Sequence, residues 1–206
     1  MLAGAALTDL PTQPDAAIDA PPLAERFAAG EPAAFDELVA IYQPRITRTV
    51  FRLTAWGRRA DVEDIVQEVF LAALTHSQRF RGSASLSTWL TAIAINKCRS
   101  HRRRLSVLWR RFVQASPKET EAAGRMPSGE DTLSSAETSA RVRSAVAALP
   151  PRDREVVVLR YFEHLSPGEI ATLTRQSKNA IEVRLHRARA RLAEAVRELV
   201  EEDEPR

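Results

Sequence analysis

The sequence predicts an all-α protein with two helical domains joined by a flexible linker, the C-terminal domain being a helix-turn-helix. Apolar residues recur at steps of three and four in 23–104 and again in 140–196, the period of an amphipathic helix. No alternating apolar and polar run is long enough for a sheet. Between the two periodic segments Ser, Pro, Gly and Glu accumulate, which is typical of a linker.

These patterns divide the chain of 206 residues, a length that can hold one large or two small domains. We expect a disordered tail at 1–22, a first domain at 23–105, a flexible linker at 106–137, a second domain at 138–200 and an acidic tail at 201–206.

Three helices are expected in the first domain. The first has a periodic apolar pattern over 35–53, and Pro44 should kink or interrupt it because proline lacks a backbone donor. The second begins near Asp61, whose carboxylate can cap the free N–H groups. The third covers about 87–104, and Trp89 on its core face is expected to pack rather than to serve as a stacking platform.

In the second domain, a helical pattern at 140–149 stops at two prolines, and a further helix is predicted at 153–162. The segment 166–169, Ser-Pro-Gly-Glu, predicts a helix start with a capping box. Ser177 is expected to cap a longer helix. The apolar stripe of that helix comprises Ile181, Leu185, Ala188, Leu192 and Val196.

A short helix, a tight turn and a longer basic helix form the unit that places its second helix in the major groove of DNA. Arg187 or Asn179 could hydrogen-bond base edges there. The alternative is an ordinary helical hairpin with a basic surface. The net charge is only +3, but residues 69–118 contain no Asp or Glu, so this stretch attracts polyanions unless it is merely a solvated basic face.

Several other classes are disfavoured. The one cysteine, Cys98, excludes an internal disulfide, and it lacks the neighbouring ligands of a zinc site. The four histidines have no motif with a nucleophile, and no Gly-rich phosphate loop is present, so neither an enzyme nor a cofactor or metal is predicted. No signal peptide and no membrane-spanning run is recognised, so we expect a cytoplasmic protein without membrane contact of its own.

Four segments together resemble the extracytoplasmic-function (ECF) sigma factors, the smallest class of the main bacterial sigma family. They are DVEDIVQEVF at 61–70, FRGSASLSTWL at 80–90 with AIN at 94–96, EIA at 169–171 and VRLHRAR at 183–189. The resemblance covers about 23–196. It implies a subunit that binds core RNA polymerase, directs promoter-specific initiation and is held inactive by an anti-sigma factor.

The resemblance also implies roles for individual residues. Those matching the core polymerase docking helix are Asp61, Asp64, Gln67, Glu68 and Leu71. Those matching the −10 element site are Phe80, Arg81, Gly82, Ser83, Ala84, Ser85, Asn96, Lys97, Arg99 and Arg103. Those matching the −35 element site of promoter DNA are Lys178, Asn179, Glu182, Val183, His186 and Arg187.

The chain departs from the family pattern in the turn and on the reading face. Arg175 stands where the family has Gly, and Glu182 and Val183 replace a basic residue and a Ser. A glutamate can accept from cytosine and a valine can contact a thymine methyl, which predicts an unusual −35 preference. Two other functions were weighed: a dimeric helix-turn-helix regulator on a palindrome, and an RNA-binding or scaffolding protein that uses the basic stretch non-specifically.

Overall fold

The computed structural model describes residues 21–112 and 133–201, and every regular element within those two ranges is helical. The two ranges belong to two compact units. Most of the predicted N-terminal tail and most of the linker, with residues 202–206, lie outside the described residues. For the described part of the chain, the prediction of an all-α fold is confirmed.

The described helices of the first unit are α1 (Pro21–Ala28), α2 (Pro32–Leu53), α3 (Arg59–Thr75) and α4 (Leu86–Phe112), with a 3-10 turn at Ser77–Arg79. Helix α2 is central because it contacts each of the other three. Its stripe of Leu38, Tyr42, Ile46 and Val50 is fully buried. Each such side chain contributes about 1.5–3 kcal/mol by leaving water, so this stripe organises the unit.

Of the two effects expected of Pro44, a kink or an interruption, the interruption does not occur, because helix α2 continues through the proline. Pro44 is itself exposed, whereas Tyr42 and Ile46 on either side of it are buried. The packing of Tyr42 and Ile46 offsets the loss of the backbone hydrogen bond that proline cannot form.

The ends of α3 and α4 also differ from the prediction. Helix α3 begins at Arg59, so Asp61 lies inside its first turn and does not cap it. A carboxylate in the first turn still interacts favourably with the positive end of the helix dipole. Helix α4 runs past the predicted end at Arg104 to Phe112, because 105–112 contains neither Gly nor Pro to stop it. The ends of the predicted linker at 106–137 are therefore helical.

The described helices of the second unit are α5 (Leu133–Ala148), α6 (Pro151–Val157), α7 (Pro167–Thr174) and α8 (Lys178–Glu201), with a π-helical stretch at Val158–Phe162. Buried Arg154 donates hydrogen bonds to the carbonyl oxygens of Ala147, at 3.1 Å, and Leu149, at 2.9 Å. A guanidinium from α6 thus satisfies the carbonyl groups that α5 leaves open at its end.

The predicted caps of α7 and α8 are confirmed. The Glu169 N–H donates to Ser166 Oγ at 3.3 Å, and the Ser166 N–H donates to the Glu169 carboxylate at 2.7 Å, which completes the capping box. The hydrogen bonds with Ser166 lower the pKa of Glu169. The Ala180 N–H donates to Ser177 Oγ at 3.2 Å and fixes the start of α8.

The turn between α7 and α8 places Arg175 in the left-handed region, with φ 55° and ψ 46°. The Gln176 N–H donates to the Ala171 carbonyl at 3.0 Å, and the Arg175 N–H donates to the Thr172 carbonyl at 3.3 Å. This is the usual way to end a helix tightly, but glycine normally occupies the position. The chain therefore keeps the turn and accepts the strain of a side chain there.

Replacing Arg175 with Gly should raise the free energy of opening of α7 and α8 by about 1 kcal/mol, because glycine adopts this conformation without steric cost. Amide hydrogen exchange across 167–195 would measure it within the second unit alone. Arg175→Ala is the matched control, since it removes the charge and keeps the strain. Equal stabilisation by both variants would assign the gain to charge and refute the strain argument.

Candidate nucleic-acid interface

The outer face of α3 carries exposed acidic and apolar side chains. Asp64 and Gln67 are exposed and Asp61 is half-buried, while Leu71 is 62% and Leu74 49% exposed. Leu74 was missed in the sequence, although its spacing of three from Leu71 places it on nearly the same face. Two large apolar side chains left in solvent beside polar ones are typical of a protein contact surface.

Glu68 is the member of the predicted docking set that contacts another helix through ion pairs. Its Oε1 accepts a hydrogen bond from Arg104 Nη2 at 2.8 Å, and its Oε2 lies 3.3 Å from Lys97 Nζ. Both cations belong to α4. The hydrogen bond from Arg104 lowers the pKa of Glu68, so the carboxylate is charged at neutral pH.

The loop before α4 is fixed at both ends. Phe80 is buried, and its ring packs edge-on against Trp89 at 5.6 Å and Phe27 at 6.3 Å between centroids. At the other end, the Thr88 N–H donates to Ser85 Oγ at 3.1 Å, which caps α4. Trp89 is therefore a packing residue, as expected from the sequence. Phe80, predicted to belong with the DNA-contacting loop, instead anchors that loop through its ring.

The segment between these anchors is exposed throughout, namely Arg81, Gly82, Ser83, Ala84 and Ser85. Gly82 has a φ of +67°, so the turn uses a conformation that favours glycine. The side chains of this segment other than Arg81 are small. The sequence-predicted loop residues other than Phe80 are thus brought to one surface.

The predicted residues of α4 lie on one helix after this loop. Asn96 and Arg103 are exposed, and Lys97 and Arg99 are half-buried. Arg103 Nη2 donates to Ser100 Oγ at 3.2 Å, which holds its guanidinium along the helix surface. Helix α4 contains no acidic residue, so its outer side is a strip of positive charge that suits a polyanion.

In the second unit, all six predicted −35 residues are exposed on α8. They are Lys178, Asn179, Glu182, Val183, His186 and Arg187. Val183 is 41% exposed, unusual for an aliphatic residue on an otherwise polar face. Lys178 Nζ lies 3.8 Å from Glu182 Oε1, one helical turn away. The face therefore offers a carboxylate, an apolar side chain and several cations side by side.

Helix α8 is held by a buried carboxylate that the sequence did not reveal. Asp153 of α6 is 6% exposed and accepts a hydrogen bond from Arg191 of α8. Its other oxygen lies 3.5 Å from Arg184 Nη1, and Arg184 also reaches Gln176 at 3.4 Å. Because residues 38 positions apart form this contact, no local pattern could have indicated it.

Other kinds of site were sought in the described ranges. Among the side chains placed there, no group of three or more His, Cys, Asp and Glu could hold a metal ion. No helix within 21–112 or 133–201 combines the length and apolarity needed to cross a bilayer. The surfaces that stand out are therefore the α3 face, the loop with α4, and the α8 face.

Comparison with known families places matches on both units. The family description "Sigma-70 region 2" matches residues 38–107, and "Sigma-70, region 4" matches 139–192. The first match contains α3, the loop and most of α4, and the second contains α6, α7 and the exposed face of α8.

Individual relatives are similar over nearly their whole length. The chain is 32% identical to the RNA polymerase sigma-H factor of Pseudomonas aeruginosa, covering 87% of this chain and 95% of that protein. It is 30% identical to the ECF RNA polymerase sigma factor SigW of Bacillus subtilis, covering 82% and 92%. The solved structure of CnrH in complex with the cytosolic domain of CnrY matches with a TM-score of 0.59 at 27% identity, covering 88% and 96%.

Replacing Asp153 with Asn should lower the free energy of opening of α6 and α8 by about 1–3 kcal/mol, since Arg184 would lose its charged partner while partly buried. Amide hydrogen exchange in the two helices would report the change. Glu194→Gln is the control, because it neutralises an exposed carboxylate of α8 and should cost less than about 0.5 kcal/mol. Similar exchange in the two variants would argue against an anchoring role for Asp153.

Proposed function

Because the chain belongs to the ECF family of RNA polymerase sigma factors, we propose that it binds core RNA polymerase and directs transcription initiation at specific promoters. The two units would read two spaced promoter elements. The observation that carries this proposal is the presence, on one unit, of an exposed acidic and apolar face on α3 beside a small-residue loop and a basic helix. A DNA-binding regulator needs only the helix-turn-helix and leaves that unit without a role.

The proposed docking surface consists of Asp61, Asp64, Gln67, Glu68 and Leu71, with the additional residue Leu74. The two leucines are the exposed apolar side chains that a partner can bury. The neighbouring carboxylate and amide would set the orientation of the complex, because rim charges act mainly on registration and on association rate.

The proposed −10 site combines the loop 81–85 with α4. Its small residues and Gly82 leave room for an extruded base, whose exposed edge can then be read by hydrogen bonds. Asn96 would contact the same element, and Lys97, Arg99 and Arg103 would follow the phosphates of the opened strand. Phe80 supports this site from inside, through its contacts with Phe27 and Trp89.

The proposed −35 site is the exposed face of α8 in the major groove. Glu182 and Val183 would contact bases, as would His186 or Arg187, and Lys178 and Asn179 lie at the helix start where phosphates approach. Lys178 Nζ lies 3.8 Å from Glu182 Oε1, so this carboxylate has a cation beside it on the same face. These contacts would give a preferred −35 sequence different from that of a protein with a basic residue and a serine at the positions of Glu182 and Val183.

The proposal includes the domain bounds 23–105 and 138–200, the linker at 106–137 and the tails at 1–22 and 201–206. We also propose that the chain performs no catalytic chemistry and acts in the cytoplasm, where RNA polymerase is found. A regulatory anti-sigma partner is proposed as well. The similar protein CnrH is seen in complex with the cytosolic domain of CnrY, which supports a protein partner of this kind.

Mixed with bacterial core RNA polymerase and a library of upstream sequences, the chain should produce transcripts from a defined subset of templates. Leu71→Asp should weaken core binding at least about tenfold, because it places a charge in the apolar part of the docking surface. In vitro transcription and a fluorescence titration with core would measure the two effects.

Val107→Asp is the control, since Val107 is an apolar residue of α4 that is 50% exposed. It should retain the core affinity of the parent chain. Tight duplex binding without core binding would favour the dimeric regulator instead. Salt-sensitive binding without sequence preference would favour the non-specific RNA-binding or scaffolding protein.

Replacing Glu182 with Lys should change the preferred −35 sequence at one or two base pairs, because the variant loses an acceptor for cytosine and gains a donor for guanine. Selection of binding sites from random duplexes by holoenzyme would measure it, with about 1–3 kcal/mol of discrimination per altered position. Glu194→Lys makes the same charge change away from the proposed reading face. It should raise the affinity for DNA without altering the preferred −35 sequence. An unchanged consensus for Glu182→Lys would exclude Glu182 from base reading.

A further inference from the structure

Helix α1 lies beside the loop that precedes α4, although the two are far apart in the sequence. It packs on α2 and on the 3-10 turn Ser77–Arg79 that leads into the loop. Its side chains Leu23 and Phe27 are buried, and Phe27 is only 1% exposed. The match to the description "Sigma-70 region 2" begins at residue 38, so α1 lies outside the matched residues.

The ring of Phe27 contacts an aromatic ring at each end of the loop 81–85. Phe80 directly precedes the loop, and its ring centroid lies 6.3 Å from that of Phe27. Trp89 lies in the first turn of α4 at 5.8 Å from Phe27, and its N–H donates to the carbonyl of Ser85, the last loop residue, at 3.0 Å. Because Phe80 and Trp89 also contact each other, at 5.6 Å, the three rings form a closed cluster.

This cluster fixes the distance between the two ends of the loop. The side chains of 81–85 are all exposed, so the loop has no packing of its own that would hold its shape. All three ring pairs are edge-on, with interplanar angles of 63–66°, an arrangement with a preferred geometry. A site that reads a base needs its groups held to within about 0.5 Å, so the separation of the loop ends acts directly on reading.

Helix α1 is itself attached to α2, the central helix of the unit. Arg26 Nε lies 3.0 Å from Glu31 Oε2, and Arg26 Nη1 lies 2.9 Å from Glu37 Oε2. The chain turns from α1 into α2 through Gly30, whose φ is +82° and whose N–H donates to the carbonyl of Phe27 at 3.0 Å. The Phe27 ring is therefore presented to the loop from the most rigid part of the unit.

We propose that Phe27 is a positioning residue of the −10 site: from α1 it holds Phe80 and Trp89 together, and this sets the loop 81–85 in the geometry that discriminates between bases. The inference deepens the proposed function and rests on it. Because Phe27 is buried, it acts through the two rings and does not contact DNA.

The test uses holoenzyme reconstituted from the full chain and core polymerase. It is titrated with single-stranded oligonucleotides that carry the −10 element of a selected promoter, or the same element with one base changed. Phe27→Leu keeps an apolar side chain but removes the ring edges. The ratio of affinities for the selected and the changed oligonucleotides should fall by about twofold to tenfold, the range expected for the loss of one edge-on ring contact. The affinity for core should remain that of the parent chain.

Phe51→Leu is the matched control. Phe51 is also a buried ring of the same unit, 7% exposed, and it packs edge-on against Trp56 at 6.3 Å, away from the loop. This variant should lose a similar amount of stability in thermal unfolding and keep the base discrimination of the parent chain. If Phe27→Leu does not fold, Phe27→Met replaces it with the same expectation, because a flexible methionine fills an irregular space more readily.

The possible outcomes have different meanings. Unchanged base discrimination in the folded Phe27 variant would overturn the inference. An equal loss of discrimination in Phe51→Leu would also overturn it, since general destabilisation of the unit would then explain the effect. Failure of the parent chain to bind core, or to prefer the selected −10 element, would instead refute the proposed function, and this inference with it.

Discussion

The first unit depends on the buried stripe of α2, against which both α3 and α4 pack. A helix that buries one face must present the other to solvent, so packing on one seam leaves two outer faces with different chemistry. That of α3 is acidic and apolar, and that of α4 is basic. The buried stripe thereby fixes the outer faces of α3 and α4 relative to each other, while both faces remain exposed. Their shared edge is occupied by Glu68, whose ion pairs connect the two helices outside the apolar core.

The second unit solves a related problem with charge as well as with apolar packing. Helix α8 is buried along Ile181, Leu185 and Ala188, which sets which face looks outward. The carboxylate of Asp153 then holds α8 through Arg184 and Arg191, which lie about two helical turns apart. Apolar contacts tolerate sliding along a helix, whereas a hydrogen-bonded ion pair has a preferred geometry. The exposed face of α8 therefore has both its direction and its register determined from within the unit.

The features that the sequence predicted correctly are those with a local cause. Ser166 and Glu169 predict a helix start because a capping box needs only residues three apart, and the stripe through Ile181 follows from the helical period. The failures concern contacts between distant residues. Phe80 turns inward because the rings of Phe27 and Trp89 pack against it. The ion pair between Glu68 and Arg104, 36 positions later, likewise has no local signal in the sequence.

The loop before α4 has a further consequence for how such a protein diversifies. Its ends are anchored by the buried ring of Phe80 and by the cap that Ser85 provides, so residues 81–84 contribute little to the packing of the helices. Substitutions at Arg81, Ser83 and Ala84 carry little cost in stability, although Gly82 keeps a left-handed φ that favours glycine. The same number of changes in α2 would disrupt the core. Given the promoter-reading role proposed for this loop, two copies could acquire different sequence selectivities after gene duplication through changes in this short segment, and a protein engineer could exchange it on an unchanged scaffold.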